Sequence, residues 1–295
     1  MRTSNFFAAA TLTIVAIASS TVAANAASFA DPNLEAAIRE EVGITPDQEL
    51  TDSDLQKVRS LSADGRQIRS LAGIEQLTEL RTLQLDNGEG KDRPDANDIK
   101  DISPLAKLRN LQELNLSGND IKDLSPLAKL SNLQNLNLGC NKVQNLSAIQ
   151  NLRKLSTLNL YSNKVSNLQP LARLTKLKNL YLGGNKIQSV KSLASLTQLQ
   201  ELSLGSNDIN DIRPLSGLHK LESLYISGNR VANIRSLRKL QSLTSLDLSD
   251  NEITNVASLK TLTNLTELSL QGNYIADTSP IASLPNLNES SLDEE

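Results

Sequence analysis

Apolar residues return to the same places every 22 residues along most of this chain. Eight copies of one unit run from Leu111 to Asn286 without insertion or deletion, and the first copy reads LQELNLSGNDIKDLSPLAKLSN. Seven positions in each copy hold Leu, Ile or Val, with Thr278 as the one exception. A fixed period of this length predicts a solenoid, in which each copy stacks on the copy before it.

Two spacings within the unit predict two kinds of local structure. Leu114 and Leu116 alternate with polar residues, which predicts a short strand with its leucines pointing inward. Ile121, Leu124 and Leu127 recur every third residue, a spacing that suits 3₁₀ or extended turns better than an α-helix. Stacked strands would lie about 4.8 Å apart in one parallel sheet. The pattern L-x-x-L-x-L-x-x-N thus predicts a leucine-rich-repeat solenoid, a right-handed α/β-type superhelix with the sheet on its concave face and these turns on its convex face.

One asparagine per copy leaves the apolar core at the turn after the strand. These residues are Asn119, Asn141, Asn163, Asn185, Asn207, Asn229, Asn251 and Asn273. A buried backbone group without a partner costs about 1–3 kcal/mol, so the stacked turns need polar side chains. We infer that each asparagine bonds to the backbone of its own turn and of the neighbouring turn, forming a ladder. The asparagines are therefore assigned to the scaffold.

Residues 1–26 have the pattern of a cleaved secretory signal peptide. Arg2 supplies the positive start, an apolar run follows, and Ala24-Asn25-Ala26 fits the cleavage site. We expect no transmembrane segment after cleavage, and a monomeric protein that is secreted, periplasmic or at the cell surface.

Residues 27–57 do not follow the repeat and predict a small α-helical N-terminal cap. Asp31 is placed as the N-cap, Pro32 as the first helical residue and Gly43 as the end of the first helix. Thr51 is placed at the start of a second short helix, because Asp54 follows it by three residues, as in a capping box. Such a cap would cover leucines that the first repeat otherwise exposes to water.

The repeat domain is predicted over residues 58–286, as ten repeats. The first carries Arg66 in the asparagine position, and the second is longer, with an insertion near 87–96. Residues 287–295 are interpreted as a polar C-terminal half-repeat and an acidic tail. They would keep the open edge of the sheet from pairing with another chain.

Several segments together resemble the internalin-type leucine-rich repeat proteins of bacteria. They are SFADPNLEAAIREEVG, LTDSDLQKVRSLSADGRQIRSLAGIEQLTEL and repeats of the form LxxLNLxxNxIxDLSPLAxL. Internalins bind host proteins on their concave face. The resemblance therefore implies an exported, non-enzymatic protein-binding module whose partner is a host or cell-surface protein.

The outward positions on the predicted sheet are the candidate binding residues. Each copy has three outward positions, namely the two residues beside the central leucine of the strand and the residue two positions after the strand, and each position forms a column when the copies stack. Across the eight copies, these three columns contain no Lys or Arg but hold three of the four tyrosines of the chain. Tyrosine is enriched at binding hot spots because it combines a large rigid ring with a polar tip. Tyr161 and Tyr181 lie on adjacent strands and can form one aromatic patch. The predicted partner-binding residues are Tyr161, Tyr181, Tyr225, Asn137, Asn159, Glu113, Glu201 and Asp247.

The sequence contains few residues that could form a catalytic site or a metal site. His219 and Cys140 are the only residues of their types, and no Gly-rich phosphate loop is present. Glu201 and Glu267 would lie about 14 Å apart by strand spacing, too far for a glycosidase pair. The carboxylates of residues 86–98 fit no known calcium loop. We therefore expect no enzyme, no cofactor and no metal. A net charge of −3 also argues against a nucleic-acid partner.

Two alternative functions stay open at this point. The chain can be a cell-envelope structural or adhesive protein that binds glycan or matrix through its rims or convex face. It can also be a phosphatase-regulator-like protein of the same 22-residue repeat class, which would be intracellular and conflicts with the signal peptide.

Overall fold

A computed structural model of the chain describes residues 28–87 and 96–287. The predicted signal peptide, most of the predicted insertion and the acidic tail lie outside these residues. The described chain forms ten strands in one parallel sheet, and their order in space follows their order in sequence. The predicted leucine-rich-repeat solenoid is confirmed. The domain boundaries stay predictions.

Each repeat contributes one three-residue strand. The strands are β1 Ser60–Ser62, β2 Thr82–Gln84, β3 Glu113–Asn115, β4 Asn135–Asn137, β5 Thr157–Asn159, β6 Asn179–Tyr181, β7 Glu201–Ser203, β8 Ser223–Tyr225, β9 Ser245–Asp247 and β10 Glu267–Ser269. Neighbouring strands pair without a shift, so that Leu114 lies opposite Leu136 and Glu113 opposite Asn135. The central leucine of each strand is buried, and the residues on either side of it face outward.

The return path of nine repeats contains a 3₁₀ helix. These helices are Ile74–Gln76, Ser103–Lys107, Ser125–Lys129, Ser147–Ile149, Gln169–Arg173, Lys191–Ser195, Arg213–Gly217, Arg235–Lys239 and Ala257–Thr261. A helix with three residues per turn keeps every third side chain on one face, and Leu124, Leu127 and Leu130 are accordingly buried. Four of the helices have a proline in their first turn, where no backbone N–H is needed. The three-residue spacing thus predicted the turn type correctly.

Two α-helices precede the first strand: α1, Pro32–Val42, and α2, Asp52–Leu55. Gly43 ends α1 in the left-handed conformation, with φ of 73°. Thr51 and Asp54 begin α2 with a reciprocal capping box, in which each side chain bonds to the backbone of the other residue. Both capped helices agree with the sequence prediction.

Asp31 joins the cap to the first repeat. One carboxylate oxygen accepts a hydrogen bond from Asn33 N at 3.0 Å and so caps α1. The other oxygen accepts from Arg69 N at 2.7 Å and from Ser70 N at 3.1 Å. The same residue therefore begins the helix and holds it against the solenoid, where Leu34 is fully buried.

The recurring asparagines form the ladder that the sequence predicts. Asn163 Oδ1 accepts from Val143 N at 2.8 Å, and its Nδ2 donates to Leu138 O at 2.8 Å. Nδ2 also lies 3.2 Å from both Leu160 O and Tyr161 O of its own turn. The other seven asparagines make the equivalent bonds. Each side chain thus joins two successive repeats.

A second set of side-chain bonds on the opposite side of the repeat was not predicted. Asn110, Asn132, Asn264 and Asn286 each donate from Nδ2 to a backbone carbonyl of the preceding repeat, at 2.9 to 3.0 Å. These asparagines occupy one position of the unit, after the 3₁₀ helix. The outer turns are therefore also tied together by side chains, although less regularly than the inner turns.

We expect Asn163→Ala to destabilise the protein by about 1–3 kcal/mol, because it leaves buried backbone groups of two repeats without a partner. Asn210→Ala is the matched control, because Asn210 is exposed and such surface changes fall within about 0.5 kcal/mol. Urea denaturation followed by circular dichroism measures both variants. Equal denaturation midpoints for the two variants would show that the ladder adds no stability.

Candidate functional site

The outward positions of the sheet form a continuous surface, which we call the concave strip. In each repeat it comprises the two residues that flank the central leucine of the strand and the residue two positions after the strand. In the repeat that contains β6, these are Asn179, Tyr181 and Gly183. Over all ten repeats the strip contains no Lys, Arg or His. Its carboxylates are Asp64, Asp86, Glu113, Glu201, Asp247 and Glu267.

A shallow groove of about 330 Å³ runs along the strip from β2 to β6. Four of the predicted site residues line it: Glu113, Asn137, Asn159 and Tyr181. Four further side chains that were not singled out also line it, namely Gln84, Asn115, Asn135 and Thr157. They occupy the same outward columns as the predicted residues, so the strand alternation was the signal that could have identified them.

The asparagines at the base of the groove are oriented by the backbone. Asn137 Oδ1 accepts from Gly139 N at 3.0 Å, and Asn159 Oδ1 accepts from Tyr161 N at 2.8 Å. Each side chain thereby bonds to the backbone two residues further on, as asparagines in turns do. The amide Nδ2 groups of Asn137 and Asn159 have no hydrogen-bond partner within the described residues, so they remain available as donors in the groove.

Tyr181 and Glu201 form a hydrogen-bonded pair at one end of the groove. The Tyr181 hydroxyl donates to Glu201 Oε2 at 2.7 Å, across the gap between β6 and β7. Partial burial, followed by this bond, the charge of Glu201 and the nearby Tyr225, raises the pKa of Tyr181 to about 12. At neutral pH the tyrosine is therefore a neutral donor, and its ring is held in place by the carboxylate.

Tyr161 lies beside the groove instead of lining it. It is 52% exposed, the greatest exposure of any tyrosine on the strip, and it follows β5 by two residues. A Cβ atom placed on Gly183 would lie 3.2 Å from Tyr161 Cδ2, so the ring packs across that glycine. The register places Tyr181 opposite Asn159 and not opposite Tyr161. The two tyrosines thus occupy different columns of neighbouring repeats.

The remaining predicted residues continue the strip beyond the groove. Tyr225 on β8 lies in register with Asp247 on β9, whose carboxylate accepts from Ser249 N at 3.0 Å. On the other side of the groove, Glu113 is exposed and lies 3.4 Å from Asn135 Nδ2. Glu113, Glu201 and Asp247 take part in no ion pair within the described part of the chain. No Lys or Arg of the described residues therefore lies at ion-pair distance from these three carboxylates.

Cations lie at the borders of the strip. Arg81 and Lys178 come one residue before β2 and β6. On the opposite border, Lys142, Lys164 and Lys186 occupy one position of three successive repeats. Lys142 pairs with Asp120 at 2.6 Å. Basic residues thus lie on both borders of the strip, where they alternate with acidic residues such as Glu222 and Asp208.

Other candidate chemistry lies away from the strip. His219 is exposed on a convex turn, with Nδ1 3.1 Å from Lys239 O. Cys140 is a partly exposed free thiol. Within residues 28–87 and 96–287, no three His, Cys, Asp or Glu side chains are grouped as metal ligands would be. Over the same residues, no helix has the length and apolar character needed to cross a membrane.

The sequence matches a family described as "Leucine-rich repeat region" over residues 57–230, which is more than half of the chain. A second description, "Leucine Rich repeats (2 copies)", matches residues 219–261 and 241–288. Among curated proteins, no sequence matches this chain.

Solved structures of two bacterial proteins resemble this one over most of its length. The internalin inlF from Listeria monocytogenes is 28% identical with a TM-score of 0.59, and the alignment covers 88% of this chain and 94% of that protein. Internalin C2 (inlC2) from the same species is 32% identical with a TM-score of 0.56, covering 88% and 92% of the two chains.

A plant protein shares the architecture over a shorter part of its length. It is the leucine-rich repeat ectodomain of the membrane receptor kinase GASSHO1/SCHENGEN3 from Arabidopsis thaliana, solved in complex with CASPARIAN STRIP INTEGRITY FACTOR 2. Its identity to this chain is 25% and the TM-score is 0.62, with 76% of this chain and 28% of that chain covered.

We expect an ultraviolet titration of the tyrosines to contain a late step at about pH 12 that Tyr181→Phe removes. Glu201→Gln should move this step to lower pH, because it removes the charge that opposes a tyrosinate. The folded state holds the proton above the ordinary tyrosine pKa near 10. Its contribution to stability is therefore complete below pH 10 and is lost as the pH rises towards 12. An identical titration of the Tyr181→Phe variant would contradict the assignment.

Proposed function

The chain belongs to the internalin-type leucine-rich repeat proteins, and from that premise we propose that it binds a protein partner through its concave strip. Its internalin-like relatives support a role as a protein-interaction module. The observation that carries the proposal is that the strip combines tyrosine rings with the unpaired amide donors of the groove. A sheet face with this composition offers apolar contact and hydrogen bonds on the same surface.

The aromatic residues of the strip suit an interface because little side-chain freedom is lost when a partner binds. The Tyr181 ring is already held by Glu201, and the Asn137 and Asn159 amides are already held by backbone N–H groups. Ordering a mobile side chain at an interface costs about 0.5–1.5 kcal/mol, so side chains that are ordered beforehand favour affinity. Tyr161 adds an exposed ring next to these fixed groups.

A non-enzymatic role is consistent with the position of the titratable groups. Leucine-rich repeat proteins of the internalin type are generally not enzymes. Glu201 and Glu267 lie on β7 and β10, three strands apart, and His219 lies on a convex turn away from both. The strip contains no histidine that could act as a general base beside its hydroxyl groups.

Export to the cell surface or beyond is part of the proposal. Internalin-like proteins are typically secreted or surface proteins, and the pattern of residues 1–26 is that of a secretory signal peptide. An exported module of this kind meets proteins outside the cell. We accordingly propose a host or cell-surface protein as the partner and a monomer as the binding form.

We expect a pull-down with immobilised protein to capture a cell-surface protein, and the Tyr161→Ala/Tyr181→Ala variant to lose it. Truncating two hot-spot tyrosines typically costs about 2 kcal/mol or more each, enough to abolish capture of a micromolar partner. Tyr274→Ala is the matched control, because Tyr274 is 72% exposed and lies off the strip. Circular dichroism establishes that all variants are folded.

Two results would reject the concave face as the binding surface. One is capture of the same protein by the double variant at the wild-type level. The other is retention of polysaccharide alone by the wild type, which would favour an adhesive role at the envelope.

We expect the protein isolated from its natural source to begin at Ala27, because the cleavage pattern ends at Ala26. Intact-mass measurement and N-terminal sequencing of that material test the point. A protein that retains Met1 and is recovered from the cell interior would contradict export and favour an intracellular regulator.

A further inference from the structure

We propose that the segment bound by the concave strip is an extended, basic stretch of polypeptide, with two cationic side chains about six residues apart that reach Glu113 and Glu201. This inference rests on the proposed function of the strip and names the chemistry of its partner.

The first argument is the sign of the charge on the strip. The whole chain carries 30 Lys and Arg against 33 Asp and Glu, so cations and anions are almost equally common. The concave strip nevertheless holds six carboxylates and no cation. A surface of one sign attracts partners of the opposite sign and repels polyanions such as nucleic acids or acidic glycans.

The second argument is the spacing of two carboxylates around the groove. Glu113 on β3 and Glu201 on β7 lie four strand steps apart, which is about 19 Å at ~4.8 Å per step. An extended chain advances about 3.3 Å per residue, so it crosses this distance in about six residues. Neither carboxylate has a cation as partner within the described residues, and each is therefore free to pair with the bound segment.

The third argument is a row of donors beside the line from Glu113 to Glu201, in the neighbouring column of the intervening strands. Asn137 and Asn159 lie on adjacent strands, β4 and β5, and each offers an Nδ2 group without a partner among the described residues. Backbone carbonyl oxygens of an extended segment are the natural acceptors for such amides. An extended chain laid across the strands would pass both.

The fourth argument is the state of Tyr181. Its hydroxyl proton is committed to Glu201, so towards a ligand the oxygen acts as an acceptor. At this end of the groove, a ligand therefore meets the tyrosine oxygen and the carboxylate, both of which favour N–H donors. A Lys or Arg side chain supplies such donors and carries the complementary charge, and the Tyr181 ring face adds a cation–π surface.

Fluorescence anisotropy with labelled synthetic peptides tests the proposal on the purified protein. The probe peptide is neutral except for two lysines about six residues apart. One comparison peptide has the same composition with adjacent lysines, and another has glutamates in place of the lysines. We expect the spaced-lysine peptide to bind most tightly and the glutamate peptide most weakly, with the difference shrinking as salt is added.

Variants then locate the contact. Glu113→Gln/Glu201→Gln should weaken binding of the spaced-lysine peptide about tenfold, as expected for the loss of two exposed ion pairs. Glutamine keeps an acceptor for the Tyr181 hydroxyl, so the geometry of that pair is preserved. Glu252→Gln is the matched control, because Glu252 is exposed and lies outside the strip. It should bind as the wild type does.

The outcomes separate this inference from the function on which it rests. Spaced lysines that bind no better than adjacent lysines or glutamates would overturn it, as would a double variant with wild-type affinity. Either result leaves intact a captured protein that depends on Tyr161 and Tyr181. If the tyrosine double variant still captures the partner while the peptides behave as expected, the proposed function fails and the basic binding site remains.

Discussion

Backbone polar groups at the stacked inner turns must find partners inside the protein, and this constraint shapes the whole molecule. Asn163 supplies one acceptor and one donor that reach Val143 N and Leu138 O of the preceding repeat. The side chain can make both bonds only if successive turns keep one fixed distance and register. The ladder therefore fixes where each asparagine lies relative to the preceding turn, even after the insertion in the second repeat, where Asn97 bonds to Ile68 N and Ala63 O. The outward residues are thereby forced into columns.

These columns explain how a sheet of three-residue strands can form a candidate binding site from residues of several repeats. Side chains in one column lie about 4.8 Å from their neighbours, so residues far apart in sequence come within hydrogen-bond distance. Ser245 reaches Glu267 at 2.8 Å in this way, and Tyr181 reaches Glu201 diagonally, from one column to the next. The core positions, by contrast, are aliphatic and buried except in the last copy, where Ile275 is partly buried and Thr278 is exposed. Stability and recognition are thus carried by opposite faces of the same strands.

The repeat period, the turn type and the helix caps followed from the sequence because each depends on spacing within one repeat. The asparagine ladder, which joins two repeats, was also predictable because it recurs in every copy, but less regular contacts between repeats were harder to predict. The bond from Asn110 to Thr78 O requires knowing which carbonyl of the preceding repeat lies in reach. The groove required knowing the sizes of side chains on five strands, and Tyr161 was grouped with Tyr181 although its ring packs over Gly183 instead. The columns were predictable from the sequence, whereas the contacts across them needed coordinates.

The two carboxylates at the ends of the proposed contact, Glu113 and Glu201, lie too far apart to repel each other strongly. Glu113 and Glu201 are separated by about 19 Å, more than twice the screening length of about 8 Å at physiological salt. Asp64 and Asp86 lie on adjacent repeats, and there the pKa of Asp64 is raised, chiefly by burial, with the charge of Asp86 adding to the shift. Carboxylates spaced several strands apart avoid most of this repulsion. The solenoid can therefore carry these two charges at little cost, and within the described residues a bound cation has no Lys or Arg to displace at Glu113 or Glu201.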